Sequence, residues 1–202
     1  MKPLVFVALS VLWGFGRAVV FLPTIYLRLA CVAAFTLFVL RPSRLELSEL
    51  LQGGPHGRAA GFVFGFLSGI VLIAGTYAAV HLSRGVWPEL VGLLSGVYAE
   101  HGLRNLFLEL PLLVLVVMGE EWLWRERGPR ALSRSLGESG AAVFSILLYG
   151  LAQGGSGSVL VVAAALLLGT VWELMRRRSG SLLPPLVSHL MWSAAVLSFP
   201  LV

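Results

Sequence analysis

Apolar runs recur along the whole 202-residue chain, and several approach the ~20 residues that a helix needs to span a bilayer. That feature predicts an all-α, polytopic membrane helix bundle. Composition agrees: 57% of residues are hydrophobic and only 12% are charged, with a mean hydropathy of +0.88, far from the balance of a soluble domain. Seven transmembrane spans are predicted, roughly 3–22, 24–40, 60–82, 104–125, 139–153, 158–175 and 182–201. The connectors are short and no internal repeat is visible, so the chain reads as a single integral-membrane domain, 1–202, whose motif-bearing part is 104–202.

Between the spans, Leu45 to Leu51 is a candidate interfacial helix and Ser83 to Gly102 an amphipathic surface segment. Gly154-Gly155-Ser156-Gly157-Ser158 reads as a flexible turn. The one cysteine, Cys31, can form no intrachain disulfide and reads as a packed small hydrophobe. The apolar stretch after Lys2 lacks a polar region with a cleavage-type site, which predicts a retained first helix.

The basic residues set the orientation. With Lys2 cytoplasmic, alternating spans place Arg41, Arg44, Arg58, Arg125, Arg127, Arg130, Arg134 and Arg176-Arg177-Arg178 on the same side, and only Arg17, Arg28, Arg84 and Arg104 elsewhere. The positive-inside rule then predicts an inside N-terminus and an outside C-terminus. This explains the net charge of +5 better than nucleic-acid binding, because no basic patch with interleaved aromatics lies outside the membrane-flanking loops. Arginine in place of lysine, with much Gly, Ala and Leu, points to a bacterial cytoplasmic membrane.

Against this apolar background the pair Glu120-Glu121 stands out, closing the run that begins at Leu106, with Arg125 one turn later. A mid-helix acid costs roughly 2.5 to 3.5 kcal/mol on insertion scales, so such residues usually face a polar cavity and act there. Glu121 and Arg125 share one helical face in the favourable acid-before-base order. Glu120 lies about 100° away and is left for chemistry; an unpaired, partly desolvated carboxylate suits a general base that takes a proton from water. The alternative is that both acids mark the end of the span and pair with Arg125 and Arg127. In the last span, His189 lies about 12 Å below the surface at helical rise, with Ser193 one turn on. Gln153 closes the fifth span after Tyr149-Gly150-Leu151-Ala152.

Together these three sites resemble the CAAX-protease and bacteriocin-processing family of glutamic-type intramembrane endopeptidases. The family pattern is Glu-Glu-x-x-x-Arg, Phe-x-x-x-His and His-x-x-x-Asn on three helices. The first element is complete as Glu120, Glu121 and Arg125. The second is Tyr149 to Gln153, with Gln for His, and the third is His189 to Ser193, with Ser for Asn. The resemblance implies that Glu120 activates water, that Glu121 and Arg125 hold the helix geometry and that Gln153 orients the water. It also implies that His189 and Ser193 stabilise the oxyanion. The implied function is cleavage of membrane-anchored protein or peptide substrates within the lipid bilayer. Processing of C-terminal anchors or sorting signals, as in the myxosortase-like branch, is the implied role. Glutamine cannot accept a proton, so an inactive relative that binds substrate or a membrane partner is the alternative reading.

A second enzyme class fits another string: Gly154-Gly155-Ser156-Gly157 matches the G-x-S-G of rhomboid-type serine proteases, with His189 as a dyad partner. That reading leaves Glu120-Glu121 unexplained. No cofactor is expected, and no metal, since there is no H-E-x-x-H and one histidine among glutamates and a glutamine makes a poor zinc site. Gln153 and His189 stand about 20 and 12 Å from the inner boundary at helical rise, so bringing them together calls for a tilted or shortened fifth helix.

Overall fold

The computed structural model describes residues 3–16, 25–41, 54–103 and 105–201, with Ser43, Glu46, Ser48, Leu51 and Gln52 from the connector. The candidate interfacial helix at Leu45 to Leu51 and the basic residues Lys2, Arg17, Arg44 and Arg104 therefore lie largely or wholly outside the described residues. The described residues are helical and contain no strand. In chain order the helices are α1 (Pro3–Gly16), α2 (Ile25–Leu40), α3 (Gly57–Ser83), α4 (Glu89–His101), α5 (Leu106–Glu121), a π-helical turn (Trp122–Arg127), α6 (Gly128–Gln153), α7 (Val159–Ser179) and α8 (Leu183–Ser198).

Where its residues are described, each predicted span falls on a helix or part of one, and the amphipathic segment contributes α4. Two helical stretches, Gly54–Ser83 and Val159–Ser179, are long and apolar enough to cross a membrane; Pro3–Gly14, Tyr26–Leu40 and Leu183–Ser198 are shorter apolar helices. Local chemistry sets the ends. Asn105 caps α5 by accepting from the Leu108 N–H at 3.3 Å, while its own N–H donates to Glu109 Oε2 at 3.1 Å. α7 stops at Gly180 in the left-handed region, with Arg176, Arg177 and Arg178 in its last turn, and α8 starts over Pro184-Pro185.

The bundle is inverted relative to a soluble protein. α3 exposes Phe62, Val63, Phe66, Leu67, Ile70 and Val71 and buries only Gly61, Gly65 and Gly69. Small residues four apart let helix backbones approach closely in lipid, and this stripe seats α3 on α8. A methyl group on Gly65 would stand 2.6 Å from the Pro184 carbonyl oxygen. Across the same interface the Trp192 indole N–H donates to Thr76 Oγ1 at 2.9 Å. Gly65→Ala is expected to lower thermal stability in detergent by about 1–3 kcal/mol through overpacking. Gly75→Ala, with nothing within 4 Å of its added methyl, is the comparison and should lose nothing. A second packing centre joins α1, α2, α5 and α6 around Phe6, Trp13, Leu113, Val117 and Trp124.

Two expectations are corrected. Cys31 is exposed on α2 and not packed. The stretch from Glu126 to Glu138, expected as a connector between spans, is helical apart from Gly137, whose φ of 67° and ψ of 170° break α6. Beyond Gly137 the chain runs back to the π-helical turn, where Ser145 Oγ donates to the Trp124 carbonyl at 2.6 Å. The true turn of this hairpin is Gly137, where glycine meets the left-handed backbone without strain.

Candidate active site

Glu120 and Glu121 close α5, and the π-helical turn follows at once, a local widening often found at functional sites. Glu120 is 5% exposed and Glu121 1%, so neither marks a water interface. Arg127 is engaged elsewhere, on Glu46 of the connector at 3.1 Å. The Ser43 backbone N–H, with Arg127 assisting, holds the Glu46 carboxyl below the usual range.

Glu120 does not stand unpaired, as the sequence led us to expect. Gln153 Nε2 donates to its Oε1 at 2.8 Å and the Tyr149 hydroxyl to its Oε2 at 3.2 Å. The same Oε2 faces His189 Nε2 at 3.6 Å. Glu121 makes its short bond across helices, to His189 Nδ1 at 2.8 Å, while Arg125 Nε remains 3.9 Å from that oxygen. The Arg125 guanidinium is buried, lies 4.5 Å over the Tyr149 ring and has no hydrogen-bond partner among the described residues.

His189 is fixed on its other side by Trp172, stacked at 3.7 Å with an 18° interplanar angle. The Trp172 indole N–H donates to Ser188 Oγ at 3.3 Å. With Nδ1–H directed at Glu121, Nε2 can donate toward the Glu120 side only when the ring carries a second proton. Ser193, one turn beyond, is buried and lines the same cavity, about 290 Å³ in volume, as Glu120, Gln153 and His189. Away from these polar groups the wall is apolar.

The convergence needs no shortened helix. Glu120 lies seventeen residues before Gly137 and Gln153 sixteen after it, and the reversal there returns the Gln153 amide to Glu120 Oε1 at 2.8 Å. His189 lies only nine residues from Gly180, or about 13 Å. An ion cluster ties the neighbouring elements: Glu126 on the π-turn meets Arg176 of α7 at 2.6 Å and Arg130 at 2.5 Å.

Several of these neighbours were not singled out from the sequence. Tyr149 entered only as a stand-in for phenylalanine, yet its hydroxyl touches Glu120. Trp172, Glu126 and Glu173 are all buried. The signal for the last two was available, since each is an acid within an otherwise basic or apolar helix end. Ser156 is used locally: its hydroxyl donates to the Gln153 carbonyl at 2.7 Å and accepts from the Ser158 N–H at 3.2 Å, while the ring nitrogens of His189 face Glu121 and Glu120. Among the described residues no group of three or more His, Cys, Asp or Glu is arranged to hold a metal ion.

Comparisons with curated proteins and with solved structures give no match. Residues 102–195 match the family described as Type II CAAX prenyl endopeptidase Rce1-like, a span that contains Glu120, Gln153 and His189. Over these residues, a little under half of its length, the chain is thus similar to a family of proteases.

Proposed function

We propose that the chain is an intramembrane endopeptidase in which Glu120 activates water to cleave membrane-anchored protein substrates, with removal of C-terminal anchors or sorting signals as its role. The observation that carries this reading is a buried carboxylate at a cavity wall, oriented by two donors and facing an imidazole 3.6 Å away. In the proposed step a water held between Glu120 and His189 attacks the scissile carbonyl and passes its proton to Glu120. The protonated Glu120 then delivers that proton to the departing amine. Protonated His189 donates from Nε2 to the oxyanion, held in place by Glu121 and Trp172, and Ser193 supplies a second donor. Gln153 and Tyr149 fix the carboxylate without competing for its proton. Arg125 lies behind Glu121 and balances charge in the dry interior. On this reading the whole of 1–202 acts as one domain, with the chemistry confined to 104–202.

The inactive-relative reading draws on one feature, Gln153 in place of a histidine. Against it, Gln153 still holds Glu120 at 2.8 Å, and the proton acceptor itself is retained.

The test separates nucleophiles. In proteoliposomes with a membrane-anchored substrate, Ser156→Ala should keep activity within about twofold, the effect expected of one local hydrogen bond near a turn. A fluorophosphonate probe should leave the wild-type protein unlabelled. Covalent labelling at Ser156, lost together with activity in the alanine variant, would replace glutamate-activated water with a serine mechanism.

A further inference from the structure

The cavity is one-sided. Its lining runs from the polar floor toward one end of the bundle: Leu29 of α2, Val80 of α3, Val97 of α4, Val116 of α5, Gln153 of α6, Val161 of α7 and Val196 of α8. On α5 the lining stops at Glu120; on α7 it runs no further than Trp172 and on α8 it begins at His189. The opposite end carries Arg41, Arg58, Arg127, Arg130, Arg134 and Arg176-Arg177-Arg178; of the other described arginines, Arg125 lies behind the polar floor and Arg28 and Arg84 lie at the cavity end. Contacts tie the arginine end together. Glu126 joins Arg130 and Arg176, Arg127 joins Glu46, and a methyl group on Gly54 would collide with the Ser179 carbonyl. The polar groups are thus the floor of a chamber whose long axis points away from the arginines.

At its far end the chamber is covered by α4 and by the residues after α8. Leu90 and Leu94 pack with Val196 and Leu201. Tyr98 Oη accepts from the Leu201 N–H at 3.0 Å, and the Tyr77 hydroxyl donates to the Phe199 carbonyl at 2.6 Å.

Arginine-rich ends of membrane bundles face the cytoplasm. We infer that the site is reached from the non-cytoplasmic face, beneath α4, so that its substrate is a membrane-anchored polypeptide presenting the scissile segment on the translocated side. The apolar wall suits an extended apolar stretch entering from that leaflet, with its scissile bond lowered to the polar floor. This deepens the protease reading and rests on it for the substrate, but the direction of access can be measured without any turnover.

Single cysteines introduced in a Cys31→Ser background test it. Val97→Cys on α4 and Val161→Cys on α7 report the chamber; Ser135→Cys, exposed at the arginine end, reports the other face. Right-side-out membrane vesicles are treated with a charged maleimide, which the bilayer excludes, before and after permeabilisation. The chamber cysteines should label from outside without permeabilisation, at least roughly tenfold faster than Ser135→Cys, which the lipid barrier to charge protects. A Glu120→Gln background should label equally, so loss of the catalytic mechanism would leave this result standing. Labelling of both chamber positions only after permeabilisation, or from neither side, would overturn the inference.

Discussion

Glu120→Gln should abolish turnover of a membrane-anchored substrate in proteoliposomes while the protein stays inserted and folded. Glutamine keeps the size of the side chain and can still accept from Gln153 or Tyr149, so the packing that holds residue 120 survives. What disappears is the proton acceptor. A positioned general base contributes typically about 10²–10⁴-fold, and no other group in the site takes over: Gln153 cannot accept a proton, and His189, with Nδ1 committed to Glu121, already carries a proton on Nε2 in the proposed step. Stability should change little, because a buried carboxylate near one distant imidazole is replaced by a neutral amide that needs no countercharge. Wild-type turnover in this variant would remove Glu120 from the mechanism.

The same residues show which parts of the molecule were readable from the chain. An all-α bundle followed from run length alone, because the apolar runs at 60–82 and 158–175 leave lipid as their natural surroundings. The Glu120-Glu121-x-x-x-Arg125 spacing was visible because charge is rare here. Partnership was not. Helical spacing assigned Glu121 to Arg125, yet the shorter contact, 2.8 Å, joins Glu121 to His189 sixty-eight positions away. Local periodicity carries no information about which remote helix lies opposite.

Depth was misjudged for a related reason. The arginines after Arg125 were read as a connector between spans, since charge usually marks the membrane edge. Glu126 pairs with one of them, Arg130, as well as with Arg176 of α7, and the helix continues to Gly137. The small-residue stripe Gly61, Gly65, Gly69 was legible in principle, four residues apart on one face, and it explains why the apolar side of α3 points outward. Cys31 could not be placed from an apolar run, because in lipid an apolar neighbourhood does not imply burial.

His189→Ala should reduce turnover by about 10²–10³-fold, the loss seen when one oxyanion donor is removed, equivalent to roughly 2.7–4 kcal/mol in the barrier. The structure adds a cost that the helical position did not foretell. His189 stacks on Trp172 and ties down Glu121 Oε1, so alanine leaves a gap against the indole and a buried carboxylate with a lost donor. That unmet acceptor alone costs about 1–3 kcal/mol of stability. The two effects separate in the comparison with His189→Gln, whose amide can still donate to Glu121 but carries no charge and has no second nitrogen to present an N–H on the Glu120 side. Thermal stability in detergent should recover in large part in the glutamine variant, whereas kcat should remain as low as in alanine. Recovery of kcat alongside stability would mean that His189 serves packing, and the oxyanion role would pass to Ser193.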